Sequence, residues 1–284
     1  MFALLVNLLS SCQYIDIGDH MNDHDNTEKA LSAAPPPAIL RGGQILRLLQ
    51  SRNGNPMKAT DIAKEIDVPR SSAVNICVAL EQIGFLRSTP IGYQLGSALG
   101  ELGQAFFRTF TPVRNFSEHC QRLGPLPMTV QLGMLENFNV VYLARQDGTN
   151  LISIASRVGG RLPANCTALG KAMLSTLNKE QLAQLLATQS EPFTQLTDRS
   201  VSTSDALLSI LDDVRQTGFA IDDEETTRGI LCVAVPLSRN QDISSAYSVS
   251  ASILKSEATE PVVKNTISIL NSLAKASSGS FEAN

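Results

Sequence analysis

Residues 60–86, TDIAKEIDVPRSSAVNICVALEQIGFL, limit the fold more than any other stretch of this chain. Pro69 has no N–H to donate and disfavours helical backbone at Val68, so one helix must end before it and another begin after it. In the first segment Thr60 is placed to cap a helix with Ile62, Ala63 and Ile66 on one side. In the second, Ser71 or Ser72 is the expected cap, Val74, Cys77, Leu80 and Ile83 recur at three-residue steps as a core face, and Gly84 closes the helix. Upstream, Pro35, Pro36 and Pro37 close a polar leader, and ILRGGQILRLLQS sets Ile39, Leu40, Ile45, Leu48 and Leu49 near helical spacing, with Gly42 and Gly43 weakening the first turn. Downstream, a Pro-Ile-Gly turn separates Phe85 and Leu86 from Tyr93 and Leu95, the pattern of a small hairpin. Three short helices and a hairpin predict a winged helix-turn-helix over residues 37–96.

Charge is divided along the chain. Residues 1–36 carry one Lys against five acids, residues 37–112 eight Lys and Arg against five acids, and residues 113–284 fourteen against seventeen. The one net-positive segment is the helix-turn-helix, a weak footprint for a nucleic-acid module inside a chain of net charge -4. A hydrophobic share of 43% and a charged share of 18% are those of an ordinary soluble globular protein, and 284 residues suffice for two modest cores.

The five cysteines, Cys12, Cys77, Cys120, Cys166 and Cys232, are scattered and odd in number, which suits reduced thiols in a cytoplasmic protein. His20, His24 and His119 show no zinc spacing, so neither a metal nor a cofactor is expected. The apolar run MFALLVNLLSSC resembles a lipoprotein signal, but no Lys or Arg precedes it and it is too short to span a bilayer. A disordered leader over 1–36, or a true start at Met21, is the expectation, with no membrane partner.

Residues 97–112 read as a linker helix ending at Thr111-Pro112, and residues 113–276 as a second domain followed by a tail, 277–284. Strands are expected at 128–134, 138–144, 150–157, 230–237 and 245–252, and helices at 114–123, 167–176, 179–188, 203–217 and 258–276. Strands in hairpin-like pairs between long helices predict an α/β (α+β) domain with a mixed or antiparallel sheet.

Three stretches in this order resemble the IclR family of bacterial transcriptional regulators: the helix-turn-helix followed by GYQLG, then SRVGGRLPANCTALGKAMLS, then GFAIDDEETTRGILCVAVPL. The resemblance runs from about residue 39 to about residue 275. It implies a winged helix-turn-helix, a linker helix and a GAF-like effector-binding domain. It also implies a homodimer or homotetramer that represses or activates genes for catabolism or transport of a small organic compound, commonly an organic acid or aromatic. The partners expected are therefore double-stranded operator DNA and a small-molecule effector.

For DNA, Arg70 is placed to neutralise phosphate, and Ser71, Ser72 and Asn75 to reach base edges or phosphates, with Arg41 and Arg87 flanking the duplex. Relatives usually carry Arg where this chain has Asn75, which either reads adenine or is a solvated helix residue. For the effector, Asn165-Cys166-Thr167 precedes a helix whose first N–H groups suit a carboxylate. The resemblance places the pocket at Ala168, Leu169 and Gly170, at Asp222, at Cys232 on the next strand, and at Ser248 and Ser250 on the strand after.

Alternation supports that grouping, since Ser248 and Ser250 face one way and Val249 the other. Cys232 is otherwise a small buried hydrophobe. Arg161 is expected at the pocket mouth, and Lys171 as a clamp or a surface residue. Where the family often has Leu-His this chain has Ala164-Asn165, a departure that bears on pocket polarity. Two other classes are alternatives: a hydrolase using Cys232 or Cys166, for which the only C-terminal histidine, His119, is poorly placed as a base, and a membrane-tethered or cytosolic sensor whose DNA binding is weak or lost.

Overall fold

The computed structural model describes residues 36–150, 156–238 and 246–278. The apolar run at 1–12, Met21, most of the strand expected at 150–157 and the last residues of the tail lie outside the described residues. The chain divides between Glu101 and Leu102 into two compact units.

The first unit holds α1 (Pro37–Ser51), α2 (Ala59–Glu65), α3 (Arg70–Gln82) and the hairpin β1 (Leu86–Thr89) and β2 (Gly92–Leu95). Pro37 opens α1, where its missing N–H costs nothing. The buried stripe of α1 is Gly42, Ile45 and Leu49, so Ile39 and Leu40, expected in the core, lie 71% and 54% exposed. Gly42 is buried facing Ile76 and Leu80 of α3, with room for a Cβ in ordinary contact, 3.9 Å from each. The fully buried positions of α3 are Ala73 and Cys77.

Neither serine caps α3. Pro69 is the N-cap, with extended ψ and no side-chain bond, so the helix starts at Arg70 and Ser71 and Ser72 fall inside its first turn. Thr60 likewise sits within α2, which begins after Lys58. Ile83 is 57% exposed because it stands at the C-cap, past the buried stripe. Gly84 at φ +75° then closes the helix, its N–H donating to Glu81 O and that of Phe85 to Leu80 O. In the wing, Met57 and Tyr93 exchange both backbone bonds, at 2.9 and 2.8 Å, and Gly92 is required beside them: a Cβ there would lie 2.4 Å from Met57 O.

Helix α4 (Ala98–Thr109) carries the division between the units within it, and α5 (Thr111–Leu123) follows at once, with Pro112 in its first turn. Thr111-Pro112 therefore starts a helix, the position a proline tolerates best. The remaining elements are β3 (Thr129–Glu136), β4 (Asn139–Gln146), β5 (Arg161–Pro163), α6 (Ala168–Leu174), α7 (Lys179–Ala187), α8 (Ser204–Thr217), β6 (Ala220–Asp223), β7 (Ile230–Pro236), β8 (Tyr247–Leu254) and α9 (Glu260–Ser278). The six strands form one sheet in the order β5-β4-β3-β8-β7-β6, and every pairing among the described residues is antiparallel.

Each sheet face buries its own core. Val130, Leu132, Val233, Val249 and Ala251 meet α5 and α9 through Phe116, Leu270 and Leu273. On the other face Val140, Leu169, Met173, Ala234, Leu207 and Leu211 join α6 and α8 to the sheet. The result is three layers, helices over both faces of an antiparallel sheet. Gly170 allows α6 to lie this close to the chain that precedes it, because a Cβ at 170 would meet Ala164 O at 2.2 Å and Ala164 Cα at 2.4 Å, all backbone. Gly170→Ala is therefore expected to lower the stability of the second unit by about 3 kcal/mol, read as a fall in its thermal or urea midpoint. An unchanged midpoint would show that the 164–170 turn relaxes freely.

Candidate functional site

Beneath the start of α6 the sheet register stacks polar side chains into rows. Asp222 pairs Cys232 across β6 and β7, and Cys232 pairs Ser252 across β7 and β8. In the next row Ser250 pairs Gln131 of β3. Because β8 alternates, Ser248, Ser250 and Ser252 all face α6 while Val249, Ala251 and Ile253 enter the opposite core. The Cys232 Sγ and Ser252 Oγ lie 3.3 Å apart, Ser250 Oγ donates to Gln131 Oε1 at 3.2 Å, and Gln131 Nε2 donates to Ser156 Oγ.

These groups line a narrow, partly open cavity with Tyr142, Thr167, Ala168, Leu169, Thr226 and Thr227. Its free interior is about 20 Å³, roughly one water, so any organic molecule must part its walls. Of the residues expected at a pocket, Ala168, Leu169, Asp222, Cys232 and Ser250 do line it.

Three others do not. Ser248 donates instead to Leu169 O at 3.0 Å, fixing α6 on the sheet. Gly170 is a packing position, and its N–H is taken by Thr167 Oγ1, which caps the helix, so it offers no free donor. Arg161 lies at the sheet edge, paired with Glu136 across β4 and β3. Gln131, Tyr142, Ser156, Thr226, Thr227 and Ser252 were missed. Ser252 was legible as the next step of the Ser248-Ser250 series, and Gln131 as the polar residue between Val130 and Leu132.

Asp222 organises the turn that follows it. Its Oδ1 accepts the Glu225 N–H at 2.7 Å and the Thr226 N–H at 3.2 Å, and its Oδ2 accepts the Thr226 hydroxyl at 2.5 Å, which holds the turn with Glu224 at φ +62°. Burial raises its carboxyl above the usual range, the Thr226 hydroxyl and Lys171 acting against that. Burial likewise pushes Cys166 up to about 12 and Cys232 higher still, so both are thiols at neutral pH.

Lys171 is neither clamp nor surface residue: it is 1% exposed and ion-paired with Glu225, which burial raises. Helix α6 is buried along its whole length, which leaves even its lysine no path to water. Asn165 does not line the cavity either. Its amide donates to Thr194 O at 3.0 Å and Val201 O at 2.6 Å, so Asn165 ties down a loop.

In the first unit Ser71, Asn75, Val78 and Gln82 form one exposed stripe of α3, opposite Ala73 and Cys77. Arg70 is exposed at the helix start, Ser72 is half-buried, Arg41 is half-buried on α1, and Arg87 is exposed on β1. The hairpin is fastened to α3 by the Ser88 N–H, which donates to Glu81 Oε1 at 3.0 Å. Val78 was not anticipated on the outer face; its spacing of three from Asn75 was the available signal.

A winged helix-turn-helix unit, in one chain with a sheet unit that carries a polar-lined cavity, defines a ligand-responsive DNA-binding regulator of transcription. Residues 38–90 match the IclR helix-turn-helix domain and residues 121–279 the C-terminal domain of bacterial transcriptional regulator IclR; the chain belongs to the IclR family. It is 31% identical over 207 residues to the HTH-type transcriptional regulator XynR of Escherichia coli (strain K12), covering 70% of this chain and 79% of that one. An IclR-type transcriptional regulator from Alicyclobacillus acidocaldarius shares the fold with a TM-score of 0.75 at 21% identity, over 87% of this chain and 99% of the other. An IclR homolog from Microbacterium hydrocarbonoxydans, solved in complex with 4-hydroxybenzoate, shares it with a TM-score of 0.67 at 22% identity, over 87% and 100%. Among the described residues no helix is long and apolar enough to cross a membrane, and no group of three or more His, Cys, Asp or Glu is arranged to hold a metal ion.

Proposed function

We propose that this regulator is a cytoplasmic, non-enzymatic repressor or activator whose effector, a small organic acid or aromatic, binds the cavity between α6 and β6-β7-β8. The observation that carries this reading is the row Asp222-Cys232-Ser252, lined on the helix side by Ala168 and Leu169 with little free interior. An effector must separate the start of α6 from the sheet, so occupied and empty states differ in structure, and ligand concentration shifts their populations. The neighbour solved with 4-hydroxybenzoate supports an aromatic acid as the kind of molecule to try first.

Residues 37–96 act as the DNA-binding domain, 97–112 as the linker and 113–276 as the effector domain in this reading. Ser71, Asn75 and Val78 meet base edges, Val78 through thymine methyl groups, while Arg70, Arg41 and Arg87 meet phosphates. The regulator works as a homodimer or homotetramer: Ile39 and Leu40 on α1, and Leu102 and Phe106 on α4, are large exposed apolar residues suited to a second copy. Two copies would engage half-sites about 34–36 Å apart. A non-enzymatic role is supported by the neutral cysteines and by the lack of any histidine among the described cavity residues. Thioester turnover abolished in Cys232→Ser would overturn that part.

Selection of genomic fragments by the purified chain at two salt concentrations tests the whole. The expected result is a palindromic site beside a catabolic or transport operon, lost at high salt. Failure to enrich any sequence at low salt would sink the DNA-reading role.

A further inference from the structure

The charge inventory of the cavity constrains how an acid could enter it. Asp222 is the one charged side chain among the described lining residues, and no Lys, Arg or His joins it. Lys171 of α6 is the charge that lowers Asp222, and Asp222 in turn raises the ionisable groups that face it: Cys232 from β7, Tyr142 from β4, Cys166 from before α6 and Glu225 from its own turn. Burial keeps the thiols and the phenol protonated. The single buried cation among the described residues, Lys171, is held by Glu225. Asp223, the neighbour of Asp222, alternates away and pairs with Lys255.

With both carboxyls ionised, Lys171, Glu225 and Asp222 together carry one net negative charge. A ligand carboxylate would make it two, in a space with little water, and two carboxylates in one such site do not both ionise. No described lining residue offers a compensating cation, and the start of α6 offers less than its sequence promised, since Thr167 already caps it. A proton restores the original charge. Resting on the acid-effector reading above, we infer that an acidic effector enters this cavity together with one proton, shared between its carboxyl group and that of Asp222. The proton comes from solvent, the Asp222 carboxyl becomes a donor to the ligand oxygen, and the Thr226 hydroxyl turns to match. Ser250, Ser252 and the Cys232 thiol supply neutral hydrogen bonds that suit either oxygen. The raised carboxyl of Asp222 in the empty cavity lowers the cost of this uptake.

Titration calorimetry on the full chain decides it, with acetate, pyruvate and 4-hydroxybenzoate as probes, each beside its uncharged amide, at pH 6 and pH 8 in two buffers of different ionisation heat. The expected result is that an acid binds about 100-fold more tightly at pH 6 than at pH 8, a factor of about ten per pH unit for one linked proton. The buffer dependence of the heat should count about one proton taken up, and Asp222→Asn should abolish both the pH dependence and the uptake. The proton count on the wild-type chain stands by itself if that variant fails to fold. Acid binding of equal strength at both pH values, with no proton taken up, overturns the inference and leaves the acid-effector reading intact. Binding of the amides alone, or of no probe, overturns both.

Discussion

Lys171→Met is expected to destabilise the second unit by about 3–5 kcal/mol, the cost of leaving one member of a buried ion pair without its partner. Lys171 is essentially inaccessible, Glu225 nearly so, and the second oxygen of Glu225 already has no partner among the described residues. The double variant Lys171→Met with Glu225→Leu should recover most of the loss, because replacing both charges removes the stranded one. Urea denaturation of the single and double variants measures this. Equal losses in both would mean that packing around α6, and not the charge, carries the stability.

The pH dependence has a definite sign. Burial raises Glu225 above its ordinary value, so between that value and the raised one the folded state holds more of the proton than the unfolded state does. Stability contributed by this group is therefore greatest at the acid end of that window and falls as pH rises through it. Removing Lys171, which opposes the shift, widens the window. The deficit of Lys171→Met should accordingly shrink as pH is lowered toward the ordinary carboxylate range.

The second large effect is on DNA. Asn75→Ala should cost about 1–3 kcal/mol, or about 5- to 150-fold, against the preferred operator and relax the requirement at one base-pair position. Arg70→Ala should weaken binding to every sequence alike and reduce the salt slope by about one. Both residues are exposed on α3, and neither contributes to the buried stripe of Ala73 and Cys77, so folding should be unaffected. Binding measured across single-base operator variants at several salt concentrations separates the two. If Asn75→Ala leaves the base preference unchanged, Asn75 is a solvated helix residue, and reading falls to Ser71 and Val78.

Local rules carried the reading a long way. Pro69 with Gly84 delimited α3, alternation placed the β8 serines on one face, and the Ile-Leu-Cys-Val-Ala-Val run announced β7. They failed where contacts between distant segments decide. Gly42 looked like a weak point in α1 and is part of its core, because its neighbours are on α3. Ile39 and Leu40 had the spacing of a buried face and lie outside it. Strands β5 and β6 are too short to show a period and exist by pairing with β4 and β7.

The family segments and their order were determined by the sequence alone, because periodicity, prolines and glycines act over a few residues. Which polar groups meet was decided only in three dimensions. Asp222, Cys232 and Ser252 are neighbours because antiparallel register sets them in one row, and Lys171 is buried because α6 is enclosed on all sides and Glu225 lies within reach. Register and enclosure arise from pairings between residues far apart in the chain, and no local pattern encodes them.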